Sequence, residues 1–272
     1  MSSTPQTWSK NKALIVYFLI AYAVSWIIEI PLALQAQRVV TWSIPNSVHY
    51  LASFGPLIAA LITTWLSEGR AGLRDIVLRI FKYRVPFVWW LAALSPLVAY
   101  FPLAVAISAS QPDWLRLSPL GTVDFLPPLG LGAFVLWTVT FGLGEETGWR
   151  GFALPRLQAR SNALVSSIIL WVLWALWHLP AFFYLYDPRI AAGFLLGVLA
   201  GTITLTWLYN SASGSILIVA VWHGLFNYTT GCSQCKTGSV SAILSTLVMV
   251  WAVLIVIIFK PANLSPSQRQ IE

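Results

Sequence analysis

Long apolar runs separated by short polar turns leave this chain little choice of solvent. They fall at about 13–34, 50–66, 88–109, 129–149, 163–183, 190–208, 212–229 and 240–259. Each is near the ~20 residues a helix needs to cross a ~30 Å hydrocarbon core. Only 9% of the residues are charged, against 58% hydrophobic, where an ordinary soluble domain carries roughly 25% charge. A water-soluble globular enzyme is excluded, and so is disorder, which needs the opposite composition. The expectation is an all-α polytopic transmembrane bundle of about eight spans, one integral-membrane domain over residues 1–272. The first run is too long for a secretory h-region and is followed by seven more, so it reads as a span and not a cleaved signal.

The net charge of +7 has no basic stripe interleaved with aromatics, so nucleic acid is not an expected partner. Twelve of the 16 Lys and Arg fall in the N-terminal tail, the second and fourth loops and the C-terminal tail. That bias puts both termini in the cytoplasm. In the second loop, Leu73, Ile76, Val77, Ile80 and Phe81 follow helical spacing, with Arg74, Asp75, Arg79 and Lys82 off that stripe. This reads as a basic amphipathic helix lying in the cytoplasmic interface, a positive-inside anchor rather than a specific lipid site. The two cysteines, Cys232 and Cys235, are too few for a disulfide framework and read as a loop pair without a catalytic role.

Ionisable groups inside spans are expensive and usually face the bundle interior or a cavity. Here they are Glu29, the run Glu145–Arg150, His178, and His223 with Asn227. Glu29 has no motif around it and reads as a snorkelling or bundle-facing carboxylate. Glu146 and Arg150 are four residues apart on one helix and can pair, while Glu145 lies ~100° away around the helix and is free to face a cavity. His223 and Asn227 are also four apart. The break at Arg160–Asn162 reads as the turn of a helical hairpin. Counted from it, Glu145 and His178 both lie ~22–24 Å deep, and His223 lies ~18 Å from Ser211. The three sets can meet in one pocket reached from the cytoplasmic side.

A carboxylate, two imidazoles and an amide suit amide hydrolysis. A partly desolvated Glu145 would take a proton from water, and His178 would orient that water or pass the proton to the leaving amine. His223 and Asn227 would hydrogen-bond the oxyanion, where losing one donor costs on the order of 3 kcal/mol. The same residues suggest a second reading, zinc held by Glu145, His178 and His223. HExxH is absent and Asn227 would be a poor zinc ligand, so water activation with no required cofactor is preferred.

These residues resemble the CAAX prenyl endopeptidase and bacteriocin-processing (CPBP, or Abi) intramembrane proteases. The family's EExxxR motif stands as Glu145, Glu146 and Arg150, and HxxxN as His223 and Asn227. FxxxH stands with Trp174 in place of Phe, followed by His178, a change expected to leave the chemistry untouched. The resemblance covers about residues 129–229, read as the catalytic core. It implies an eight-helix membrane protease acting on membrane-associated peptides, lipidated or not. In it Glu145 and His178 activate water, His223 and Asn227 stabilise the oxyanion, and Glu146 and Arg150 support them. It also implies a bacterial-type member in the cytoplasmic membrane. An immunity or scaffold protein acting by binding is the alternative. A transporter is disfavoured because the polar groups have no counterpart in the first half.

Overall fold

The computed structural model describes residues 8–108, 126–127, 129–231 and 239–272. Every regular element among them is helical, as expected where lipid offers backbone groups no other partner. The helices are α1 (Lys10–Ala36), α2 (Gly55–Ile80), α3 (Phe87–Ala93) and α4 (Ser95–Ser108). Then come α5, a composite helical run over 131–158, and α6 (Ala163–Trp177), α7 (Ala191–Ser211), α8 (Ile216–Thr230) and α9 (Ser239–Asn263). Cys232 and Cys235 lie outside the described residues.

Four of the described helical stretches are long and apolar enough to cross a membrane by length and composition, and α3 with α4, bent by 48°, makes a fifth. The apolar runs predict about eight spans, and two further described helices are apolar but shorter. Helices α6 and α8 are 15 residues each, about 22 Å at the α-helical rise. Helix α5 carries Glu145, Glu146, Arg150 and Arg156 in its middle and last turns. The long apolar helices leave large side chains such as Leu19, Ile27 and Val253 exposed at 66%, 74% and 59%. Lipid, not water, suits such a surface.

The expected hairpin turn is present. Helix α5 ends at Gln158, and Asn162 caps α6 by accepting a hydrogen bond from the Val165 N–H. The expected amphipathic helix is the last part of α2, joined to the span across Gly69 with φ +67, a conformation glycine adopts without steric cost. Its charged face is not wholly turned to the interface. Arg79 enters the bundle, donating to the Gly151 carbonyl at 2.7 Å and to the Tyr209 hydroxyl at 2.8 Å, while Val77 and Phe81 of the apolar stripe are exposed. Satisfying buried acceptors outweighs the helical pattern here.

Nearby, the C-terminal segment folds back over the end of the bundle that holds the 159–162 turn. Gln158 donates to the Gln270 carbonyl at 2.7 Å, the Gln270 N–H donates to Asn210 at 3.1 Å, and Glu272 pairs with both Arg79 and Arg156.

Candidate active site

Two close helix crossings build the site. A Cβ on Gly142 of α5 would fall 2.5 Å from the Ala220 carbonyl of α8, and one on Gly224 would fall 2.8 Å from Thr138 Cα. Only residues this small let the two backbones approach. The approach brings His223, next to Gly224, against Glu146, one turn past Gly142. His223 Nδ1 lies 2.8 Å from Glu146 Oε1, the same oxygen that accepts from Arg150 Nη1 at 2.9 Å. Glu146 and Arg150 are fully buried and His223 is 7% exposed. The pair read from the i, i+4 spacing is therefore present, with a third member that the spacing alone did not reveal.

Helix α5 is not regular where it carries these groups. It is π-helical over Thr138–Glu145 and again over Trp149–Ala153, and such wide turns recur at functional sites. Glu145, at the end of the first wide stretch, turns away from Glu146 as expected and meets α6. Its Oε2 accepts from the indole Nε1 of Trp174 at 2.9 Å. Trp174 touches the rest of the site as well. The Arg150 guanidinium stands 4.5 Å over its ring, a favourable cation–π contact. His223 meets it edge-on at 5.7 Å between centroids and His178 at the same distance.

His178 is the C-cap of α6, followed by a 3-10 turn at Leu179–Phe183. Its Nδ1 lies 2.7 Å from the Trp174 carbonyl oxygen. A carbonyl only accepts, so Nδ1 carries the proton and Nε2 of the neutral ring is a bare acceptor. His223 differs. Its Nδ1 faces a carboxylate oxygen, which accepts, so the Nδ1–H is held by Glu146.

The structure thus brings Glu145, Glu146, Arg150, His178 and His223 around Trp174. Asn227 stands one turn beyond His223 on α8. Two residues now join the set. Trp174, read from sequence as a neutral exchange for Phe, supplies a hydrogen bond that Phe lacks. His49, which drew no notice in its polar turn, reaches Tyr184 and Glu29, with Nδ1 2.6 Å from the Tyr184 hydroxyl. For zinc, the donor chemistry of Glu145, His178 and His223 is suitable and each imidazole Nδ1 has an outer partner. Even so, no three His, Cys, Asp or Glu residues among the described residues gather closely enough to ligate an ion.

Residues 127–229 match the family model for type II CAAX prenyl endopeptidases, Rce1-like. The chain is also 27% identical over 231 residues to a CAAX prenyl protease 2 of Methanococcus maripaludis, covering 78% of this chain and 82% of the relative. All three motifs lie within the residues that match this family model, in agreement with the resemblance read from them.

Proposed function

From its similarity to the Rce1-like CAAX prenyl endopeptidases, we propose that this chain hydrolyses a peptide bond in a membrane-associated substrate by water activation at Glu145 and His178. The observation that carries this reading is the gathering of a carboxylate, an acceptor imidazole and a donor imidazole around Trp174. Trp174 holds one oxygen of Glu145 and leaves Oε1 for the proton of the attacking water. His178 Nε2, bare and directed away from the Trp174 carbonyl, accepts the water's other hydrogen and orients it. As the water oxygen adds to the carbonyl carbon, charge collects on the carbonyl oxygen. His223, held by Glu146, and the amide of Asn227 donate to that oxyanion. Arg150 fixes Glu146, so it acts on His223 and not on substrate.

The substrate class we infer is a lipidated peptide with its scissile bond near the membrane, as the relative's name suggests for that protein. Zinc is not required in this reading. The setting we infer is a bacterial cytoplasmic membrane with both termini in the cytoplasm.

The test is cleavage of a quenched, farnesylated Cys-aliphatic-aliphatic-Met peptide in proteoliposomes by wild type, Glu145→Ala and His223→Ala. Loss of cleavage in both variants is expected. Cleavage by Glu145→Ala at the wild-type rate would sink the assignment.

A further inference from the structure

A second cluster of titratable groups adjoins the site, built from three separate parts of the chain. Helix α1 climbs alongside α6 in matched register. The Tyr22 hydroxyl bonds the Leu173 carbonyl and, one turn on, Trp26 Nε1 donates to the Trp177 carbonyl at 3.0 Å. The next turn of α1 carries Glu29, at the level of His178 and the 3-10 turn that follows it. Glu29 is 1% exposed. The Tyr184 hydroxyl, just past that turn, lies 3.4 Å from Glu29 Oε1, and His49 Nδ1 lies 3.7 Å from the same oxygen. Glu29 Oε2 is buried with no hydrogen-bond partner. Phe141, one turn before Glu145, packs against His49 at 6.1 Å between ring centroids.

Peptide hydrolysis has a second proton step, at the leaving amine. The amine leaves only when protonated. His178, protonated at Nδ1, presents an acceptor, and Glu145 reaches this step holding the water's proton; a second carboxyl lets base and acid act on separate atoms. A buried carboxyl with no fixed cation beside it is costly as a charge, and one held by Tyr184 and His49 with a bare second oxygen is built to exchange a proton.

We propose that Glu29, oriented by Tyr184 and His49, is the general acid for the leaving amine; this rests on the endopeptidase reading above. As the C–N bond of the tetrahedral intermediate breaks, its electron pair stays on nitrogen, which takes the proton from the Glu29 carboxyl. The proton that Glu145 removed from water then returns to Glu29, so each turnover consumes one water and leaves both carboxyls as they began. A pair of carboxyl groups dividing acid and base work in this way is a common hydrolytic solution.

The leaving group provides the test, because an alkoxide departs with far less help than an amine. Two farnesylated probes of one sequence, one with the scissile amide and one with an ester in its place, are compared in proteoliposomes. Glu29→Gln should lose about 100-fold in kcat on the amide and stay within about twofold on the ester, whose cleavage also shows that the variant is folded. Tyr184→Phe should lean the same way with a smaller loss, and Glu29→Asp should recover part of the amide activity. Glu145→Gln should lose both probes. If Glu29→Gln and Tyr184→Phe reduce both probes equally, or neither, the acid role is overturned while the Glu145 reading stands. Retention of both probes by Glu145→Gln overturns that reading and this one with it.

Discussion

The Trp174 indole donates from Nε1 to Glu145 Oε2 over 2.9 Å, and its own carbonyl accepts from His178 Nδ1 over 2.7 Å. One residue therefore orients both groups assigned to the water, through its side chain and through its backbone. Trp174→Phe keeps the ring between Arg150, His178 and His223 and removes only the indole donor. The expected result is a fall in kcat of about 10- to 100-fold, from the ~1.5–3 kcal/mol of one hydrogen bond to a charged group, with KM unchanged. Steady-state kinetics on the amide probe decide it. A change in KM alone would point to substrate packing instead.

Glu146 is shared between Arg150 and His223, so these three residues should act as a unit. Arg150→Ala leaves Glu146 buried against a single partner and should destabilise the protein by about 3–5 kcal/mol, as for a broken buried pair. Thermal unfolding in detergent measures this. The double variant Glu146→Ala/His223→Ala should lose scarcely more activity than the worse single variant, because residues that serve one step are not additive.

Treatment with a chelator should leave wild-type cleavage intact, since the proposed water activation assigns no step to an ion. Loss of activity with chelator and recovery on adding zinc would overturn the assignment of the water to Glu145 and His178 alone.

Glu272 pairs with Arg79, 3.3 Å away, and with Arg156. Arg156 is 3% exposed. Glu272→Ala should lower stability by about 1–3 kcal/mol, the range for hydrogen bonds to charged groups. Activity per folded molecule should be unchanged, because Arg156 lies about three turns along α5 from Glu145. Unfolding midpoints set beside kcat distinguish this from a catalytic effect.

The candidate site was partly legible because charge is so expensive in a bilayer. Glu145, Glu146, Arg150, His178 and His223 stood out against apolar neighbours, and the i, i+4 spacing of Glu146 and Arg150 forecast their bond. Other contacts run between distant parts of the chain and follow no local period. His223 on Glu146, Trp174 on Glu145 and His49 with Tyr184 beside Glu29 all belong to this kind. Arg79 was misread for the same reason, since its acceptors Gly151 and Tyr209 are distant in sequence. The expectation of about eight spans rested on hydropathy, which registers apolar length but does not foresee the π-helical turns of α5 or the end of α6 at Trp177.

By itself the sequence determined the solvent, the helical class and the few polar residues retained inside it, because each follows from transfer free energies along a local stretch of chain. The tertiary structure decided which oxygen and which nitrogen of those residues remain available. Trp174 takes one oxygen of Glu145, the Trp174 carbonyl sets the tautomer of His178, and Glu146 holds His223. Those choices depend on backbones brought close at Gly142 and Gly224, and on partners that only a folded bundle puts within 3 Å.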